Sequence, residues 1–259
     1  VALLSKVKKY LSEKLRLEKA LHMTLIDPAK TGADEAGDIC REAAKAGSSA
    51  IMVGGSIGVS ERMVDEVVLS IKKSIDIPII LFPGNPSGVS KYADAVWFLS
   101  VLNSRNPFFI IGGQAQGAPV VKRYGIEALS LAYLILGEGG TVSYISQTEP
   151  IPLNKPEIVV AYSLAAEFFG FSFLYLEGGS GARPIPPEII NVVKRNVSIP
   201  LIVGGGIKDR EIARKVVTAG ADIVVTGTLV EKANDVYRAV REVICGIREG
   251  VKNRLSEKS

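Results

Sequence analysis

Eight short runs of almost unbroken apolar residues recur along the chain, with stretches of helical pattern between most of them. They lie at 22–27, 50–55, 77–84, 95–100, 128–136, 171–177, 200–206 and 222–228. A strand with one wet face alternates apolar and polar residues. A strand that stays apolar is covered on both faces, as parallel strands under crossover helices are. The helical stretches carry matching punctuation. "SERMVDEVVLSIKKS" opens on Ser60 as a cap, "DEAGDICREAAKAG" and "KDREIARKVVTAG" stop at Gly47 and Gly220, and "PPEIINVVKRN" puts prolines in its first turn. "NKPEIVVAYSLAAEFFG" has Asn154 as a candidate cap and Gly170 as its stop.

Two connections break the alternation. "NPSGVSKYAD", between the third and fourth runs, is too short and polar for a crossover helix. "GEGGTVSYISQTEPIPLNKP", between the fifth and sixth, is a long loop, and long loops in compact domains are often functional. Eight parallel strands in 259 residues fit a (β/α)8 TIM barrel, whose usual size is about 250 residues. An open doubly wound sheet is the alternative. Glycines at several strand ends, rather than one fingerprint after the first strand, favour the barrel. No linker-like shift divides the chain, so residues 1–259 read as one domain. The amphipathic N-terminal stretch is expected to cap it, with peripheral membrane contact as the alternative role.

Composition removes some functions. A net charge of +4, spread along the chain, argues against a dedicated nucleic-acid surface. Two cysteines far apart, Cys40 and Cys245, indicate neither a disulfide framework nor a structural zinc site, so a cytoplasmic setting is expected. No run approaches the ~18 apolar residues of a membrane span.

A barrel builds its site from the loops at the C-terminal ends of its strands. Gly204–Gly206 and Gly227-Thr228 fall at the seventh and eighth ends, where barrels often seat a phosphate against backbone N–H groups. Each turn alone also reads as a plain tight turn. Asp27 ends the first strand in "LIDPAK" and offers a carboxylate for Mg2+, with Ser56 supplying a second oxygen; equally, Asp27 caps the turn before Pro28. Glu177 stands one strand from the phosphate loops, placed to take a proton from a hydroxyl of the same small molecule. Its alternative is an ion pair with Arg183. Tyr175 shares its face and either lines the pocket or holds Glu177 in place. The single histidine, His22, starts the first strand and reads as structural. Trp97 reads as packing. Phe98, Tyr133, Phe171 and Phe173 are candidates to border an apolar channel, and Asn103 and Arg105 to meet a second anion or to form a hydrogen-bonded turn.

The segments "LIDP", "IMVGGS", "LFPGN", "ADAVWFLSVLNSRNP", "YLEGGSGA", "VGGGI" and "VTGT" together resemble the geranylgeranylglyceryl phosphate synthase family, to which the bacterial heptaprenylglyceryl phosphate synthases are related. The resemblance spans residues 27–228. "LNSRNP" and "YLEGGSGA" are its specific segments, and "SVLNSRNPFFIIGGQAQGA" is of archaeal type. Gly178 stands where the family often has alanine. The resemblance implies ether-bond formation between geranylgeranyl diphosphate and the C3 hydroxyl of sn-glycerol 1-phosphate, the first ether-linkage step of archaeal membrane lipid synthesis. It implies Mg2+ at Asp27 and Ser56. It implies glycerol phosphate at Tyr175, Leu176, Glu177, Gly178, Gly179, Ser180 and Gly181, with Gly205, Gly206, Gly227 and Thr228. Glu177 and Tyr175 would be catalytic, and Trp97, Asn103 and Arg105 would lie toward the prenyl diphosphate. A homo-oligomer is expected. The alternatives are a phosphate-binding-barrel isomerase or lyase of sugar or amino-acid biosynthesis, and a non-catalytic prenyl- or glycerol-phosphate binding protein.

Overall fold

The computed structural model describes residues 5–256; the first four residues of the N-terminal stretch and the last three of the chain lie outside them. The eight strands are β1 (Leu21–Ile26), β2 (Ala50–Val53), β3 (Ile79–Leu81), β4 (Ala95–Val101), β5 (Glu127–Ile135), β6 (Phe173–Glu177), β7 (Leu201–Gly204) and β8 (Ile223–Thr226). They pair in sequence order, all parallel, and β8 closes on β1 through Leu21 opposite Ile223. This is a (β/α)8 barrel.

Strand alternation splits each apolar run between two cores. One set of residues, including Met23, Met52, Ile80, Trp97, Leu131, Phe173, Tyr175 and Ile202, packs together inside the barrel. The other set faces the helices in two outer clusters. His22 belongs to the outward face, buried, with Nδ1 2.8 Å from Ser48 Oγ and Nε2 2.9 Å from Thr226 Oγ1. Burial without a counter-charge lowers its pKa to about 3, so this imidazole is a neutral structural group.

The helices are α1 (Lys6–Glu18), α2 (Ala33–Ala46), α3 (Glu61–Lys72), α4 (Gly113–Tyr124), α5 (Gly140–Ile145), α6 (Pro156–Phe168), α7 (Pro187–Asn196), α8 (Arg210–Thr218), α9 (Thr228–Lys232) and α10 (Val236–Ser256). Ser60 caps α3 by accepting from Met63 N–H, and Gly47 ends α2 in the left-handed region. The expected Asn154 cap of α6 is replaced by Lys155, with Pro156 as the first helical residue. Between β3 and β4 stands only one 3-10 turn, Pro86–Gly88, so the ring of helices has a gap there. After β4 the chain enters a π-helical turn, Phe108–Gly112, that runs straight into α4. Among the described residues no helix is long and apolar enough to cross a membrane.

The apolar stripe of α1 is spent on the barrel. Val7 and Leu11 are buried within the barrel-interior cluster. The helix N-terminus is tied from a distance: the Glu127 carboxylate, at the start of β5, accepts from Val7 N–H at 2.7 Å and Lys8 N–H at 3.1 Å. These are first-turn donors that the helix itself leaves without partners. Glu127→Ala is expected to lower stability by about 1–2 kcal/mol, the scale of a lost helix cap, while Glu127→Gln, which keeps one acceptor, loses less. Thermal unfolding of the two variants measures this.

Candidate active site

A long cleft opens at the C-terminal ends of the strands. One end is polar, lined by Asp27, Lys30, Ser56, Glu177, Ser180, Gly227, Thr228 and Glu231. The other is an apolar trough that leaves through the gap between β3 and β4, lined by Phe82, Pro86, Val89, Phe98, Phe108 and Val121. The trough exists because no helix covers that gap. Its far wall is α4, where Gly113, Gly117 and Val121 recur every fourth residue along one helical face. A Cβ on Gly117 would meet only Pro86 Cβ, at 4.0 Å, so the missing side chain leaves open space.

The π-helical turn on the trough's rim is pinned to β4. Ser100 Oγ donates to Ile110 O at 2.7 Å, and Gln114 Nε2 donates to Leu99 O and to Phe109 O. Neither Gln114 nor the α4 glycines had been marked in the sequence. Their only trace there is the four-residue glycine spacing inside "GGQAQGA".

Glu177 ends β6 inside the barrel mouth, 8% exposed. Its Oε1 accepts from Gly179 N–H at 2.6 Å and its Oε2 from Tyr133 Oη at 3.0 Å. Burial is the larger influence and raises its pKa; the Gly179 amide and the hydroxyls of Tyr133 and Tyr175 oppose that rise. Both tyrosines are pushed well above their usual range, first by burial and then by the neighbouring carboxylate, so they stay protonated. The expected alternative for Glu177, an ion pair with Arg183, is not formed: Arg183 is exposed on the β6 turn, and the carboxylate takes hydrogen bonds instead.

Tyr175 is buried beneath Glu177, its ring stacked on Phe82 at 5.7 Å and tilted against Tyr133 at 5.0 Å. A Cβ on Gly204 would overlap the Tyr175 hydroxyl. The Tyr175 hydroxyl thus lies between the Gly204 backbone and the neighbouring Glu177 carboxylate. Leu176 points the other way, into the outer cluster with Leu174, Ile185 and Val203, so only its backbone is near the mouth. On the next turn Gly205 takes φ +88°, and a Cβ there would sit 2.8 Å from both Glu177 Oε1 and Gly179 N. Gly205 and Gly206 thus bring the β7 turn against the β6 turn of Gly178, Gly179, Ser180 and Gly181. The helix after β7 does not contribute its end: Asp209 already caps α8 by accepting from Ile212 N–H at 2.9 Å. After β8 the arrangement differs, since α9 begins directly at Thr228 with Gly227 before it and no side chain capping it.

Asp27 caps its turn, the second of its expected roles, and also lines the cleft. Oδ1 accepts from Ala29 N–H at 3.0 Å, fixing the turn through Pro28. Oδ2 lies 3.7 Å from Lys30 Nζ. A Cβ on Gly55 would overlap Asp27 Oδ1, so only glycine lets β2 approach this carboxylate and bring Ser56 into the cleft beside it. One carboxylate and one hydroxyl are hard oxygen donors. They fit a Mg2+ ion that draws its remaining ligands from water and a substrate phosphate. Among the described residues no group of three or more His, Cys, Asp or Glu gathers to hold a metal unaided.

The three residues expected toward the prenyl diphosphate fare differently. Trp97 is fully buried in the barrel interior, edge-on to Phe173 at 5.0 Å, and borders the cleft among the apolar side chains of β4. Asn103 is committed to the fold: Nδ2 donates to Ile135 O at 2.9 Å and Glu149 O at 3.0 Å, and Oδ1 accepts from Ile135 N–H at 3.2 Å. Arg105 pairs with Glu149 on the surface. Asn103 and Arg105 are the hydrogen-bonded turn of the alternative reading, outside the cleft. Lys30, Glu231 and the Tyr133 bond to Glu177 complete the polar end, and none had been marked for that role.

Comparison with known proteins agrees with this geometry. The PcrB family model matches residues 13–244. A geranylgeranylglyceryl phosphate synthase of Thermofilum pendens is 58% identical over 252 residues, 97% of this chain and 99% of that protein. One of Thermococcus kodakarensis is 52% identical over 250 residues, covering 96% and 98%. The crystal structure of (S)-3-O-geranylgeranylglyceryl phosphate synthase from Thermoplasma acidophilum, in complex with sn-glycerol-1-phosphate, superposes with a TM-score of 0.89 at 38% identity, over 92% of this chain and 98% of that one. A tryptophan synthase alpha chain from Legionella pneumophila, at 15% identity and a TM-score of 0.61, shares the fold alone. The chain belongs to the PcrB family and, within it, to the geranylgeranylglyceryl phosphate synthases.

Proposed function

We propose that this protein joins geranylgeranyl diphosphate to the C3 hydroxyl of sn-glycerol 1-phosphate as an ether, the first ether-linkage step of archaeal membrane phospholipid synthesis. The observation that carries the reading is one cleft with two unlike ends: glycine turns beside a buried carboxylate, and an apolar trough that starts at Asp27 and Ser56. A sugar-phosphate isomerase needs the first end and has no use for the trough.

The glycine turns after β6, β7 and β8 receive the phosphate of sn-glycerol 1-phosphate through backbone N–H groups. That anchor leaves the C3 hydroxyl facing Glu177. The prenyl tail lies in the trough, which sets C1 of the donor at the mouth. The hydroxyl oxygen bonds to C1 as the C1–O bond to diphosphate breaks with its electron pair, and Glu177 takes the hydroxyl proton. Tyr133 and the Gly179 amide hold the carboxylate in position. Tyr175 supports it from below. Asp27 and Ser56 would hold Mg2+, which supplies charge neutralisation for the departing diphosphate. Both cysteines are free thiols, in keeping with a cytoplasmic protein. The homo-oligomer expected from the family would have apolar surface to bury at Phe168 and Phe169, each 80% exposed at the end of α6.

The direct test incubates labelled geranylgeranyl diphosphate with sn-glycerol 1-phosphate and Mg2+ and looks for the ether. Absence of product overturns the proposal, and Asp27→Asn at wild-type rate with unchanged Mg2+ dependence removes the metal site.

Glu177→Gln is expected to lower kcat by about 10²–10⁴, the usual worth of a general base, with little change in KM for glycerol phosphate. The same variant should melt higher than wild type at neutral pH. The folded-state pKa of Glu177 is raised, so the fold binds this proton more tightly than the unfolded chain does, and stability falls as pH rises through that window. The gain from glutamine should therefore be full above the folded pKa and vanish below the ordinary glutamate value, as thermal unfolding at pH 4 and pH 8 would measure.

Gly117→Leu is expected to fold normally, since open space faces the position. It should raise KM for the C20 donor at least tenfold, about the value of burying a leucine-sized apolar group, and leave KM for glycerol phosphate unchanged. Equal kinetics for the long donor would move the tail out of the trough.

A further inference from the structure

We infer that Lys30 is the protein's own cationic contact for the donor diphosphate, held ready at the cleft mouth by Asp27 and Glu231. The inference rests on the prenyl diphosphate reading given above.

The turn through Pro28 brings Lys30 back over Asp27, its Nζ 3.7 Å from Oδ2. The same Nζ lies 3.3 Å from both carboxylate oxygens of Glu231 on α9, the helix that begins at Thr228. Asp27, Lys30 and Glu231 all line the cleft. The plain account is a strut clipping the β1 turn to α9. Two observations go further.

The first is charge. Among the described residues lining the cleft there are three carboxylates, Asp27, Glu177 and Glu231, and one basic side chain, Lys30. A polyanion entering an acidic mouth is repelled unless cations meet it there. Lys30 is the cation the chain itself supplies.

The second is looseness. Charge-assisted N–H···O bonds run at about 2.7–2.9 Å when they are tight. A structural pair elsewhere in this protein is of that kind: Lys194 Nζ lies 2.6 Å from Asp222 Oδ2, with both side chains largely buried. Lys30 makes three longer contacts and is 54% exposed. An ammonium on a flexible four-carbon stem, loosely shared between two acids, exchanges partners at small cost when a phosphate oxygen arrives. Glu231 then has a distinct role. It competes with the diphosphate for Lys30 and keeps the ammonium oriented toward the mouth until the donor comes.

The test uses the whole protein and inorganic pyrophosphate, titrated calorimetrically at fixed Mg2+, alongside steady-state kinetics. Lys30→Gln should weaken pyrophosphate binding about tenfold, the lower end for a lost charged hydrogen bond. It should raise KM for geranylgeranyl diphosphate and leave KM for sn-glycerol 1-phosphate unchanged. Lys30→Arg should restore most of the affinity. Glu231→Gln should move pyrophosphate binding the other way, tightening it, because a competitor and a repelling charge are both removed. A strut predicts instead that the two variants weaken binding alike and lower the melting temperature together, and that result overturns the inference. So does wild-type pyrophosphate affinity in Lys30→Gln when the wild-type enzyme forms ether. A wild-type protein that forms no ether defeats the underlying reading itself.

Discussion

Glu177 is an ionisable group set into the top of an apolar barrel interior, and the polar end of the cleft is organised around that burial. A carboxylate removed from water must find donors or give up its charge. Here it finds them on two neighbouring elements: the Tyr133 hydroxyl from β5 and the Gly179 amide from its own turn. The first bond requires β5 and β6 in the register that sets Tyr133 opposite Tyr175. The second requires the β6 turn to fold back at Gly179, which has φ +97°. The β7 turn must then pass within contact distance of the same oxygen, where Gly205 leaves room. The glycine richness of this corner is thus explained by the acid as much as by a phosphate. A carboxylate among glycine turns is no contradiction once an amide and a hydroxyl donate to it from the protein side.

The trough follows from an omission. A complete ring of helices would close the outer face of β3 and β4 as it closes the others. One 3-10 turn takes the helix's place, and the surface it exposes is apolar because those strands remain built for burial. An oily chain of the right width restores what the missing helix would have covered. The π-helical turn that rims the trough widens the helix locally at Phe108–Gly112, and Ser100 and Gln114 satisfy carbonyls there. A functional groove has been made by removing one standard part and distorting its neighbour.

Much of this was legible in the chain. Parallel strands buried on both faces announce themselves as unbroken apolar runs, so all eight were placed, and the short third connection was visible from its length alone. The segment from Phe108 to Tyr124 was not read as helix. It carries three glycines and Pro119, and its apolar residues do not fall on one clear stripe. Asn103 and Arg105 show a different limit. Polar residues just past a strand look the same in sequence whether they face the mouth or bond the turn together, and the three backbone bonds of Asn103 decide it. Tyr133 was visible only as one aromatic residue among several. Its meeting with Glu177 depends on strand register, which no local pattern specifies when both faces are apolar.

The raised pKa of Glu177 bears on how such a cleft handles two anions at once. A base works best when its pKa is high enough to hold the proton it takes and low enough to be ionised beforehand. Burial alone pushes the carboxylate toward the neutral acid, and the amide and two hydroxyls pull it back. A phosphate arriving on the glycine turns adds negative charge nearby and raises the proton affinity again. The diphosphate does the same from the other side. On the synthase reading, the carboxylate becomes a stronger proton acceptor as the second substrate seats. Cations at the Asp27 end oppose this, and once the diphosphate leaves, the proton held on Glu177 has less negative charge to retain it. Loading and release of the anions would thus tune the same carboxylate in opposite directions, with no movement of the barrel required.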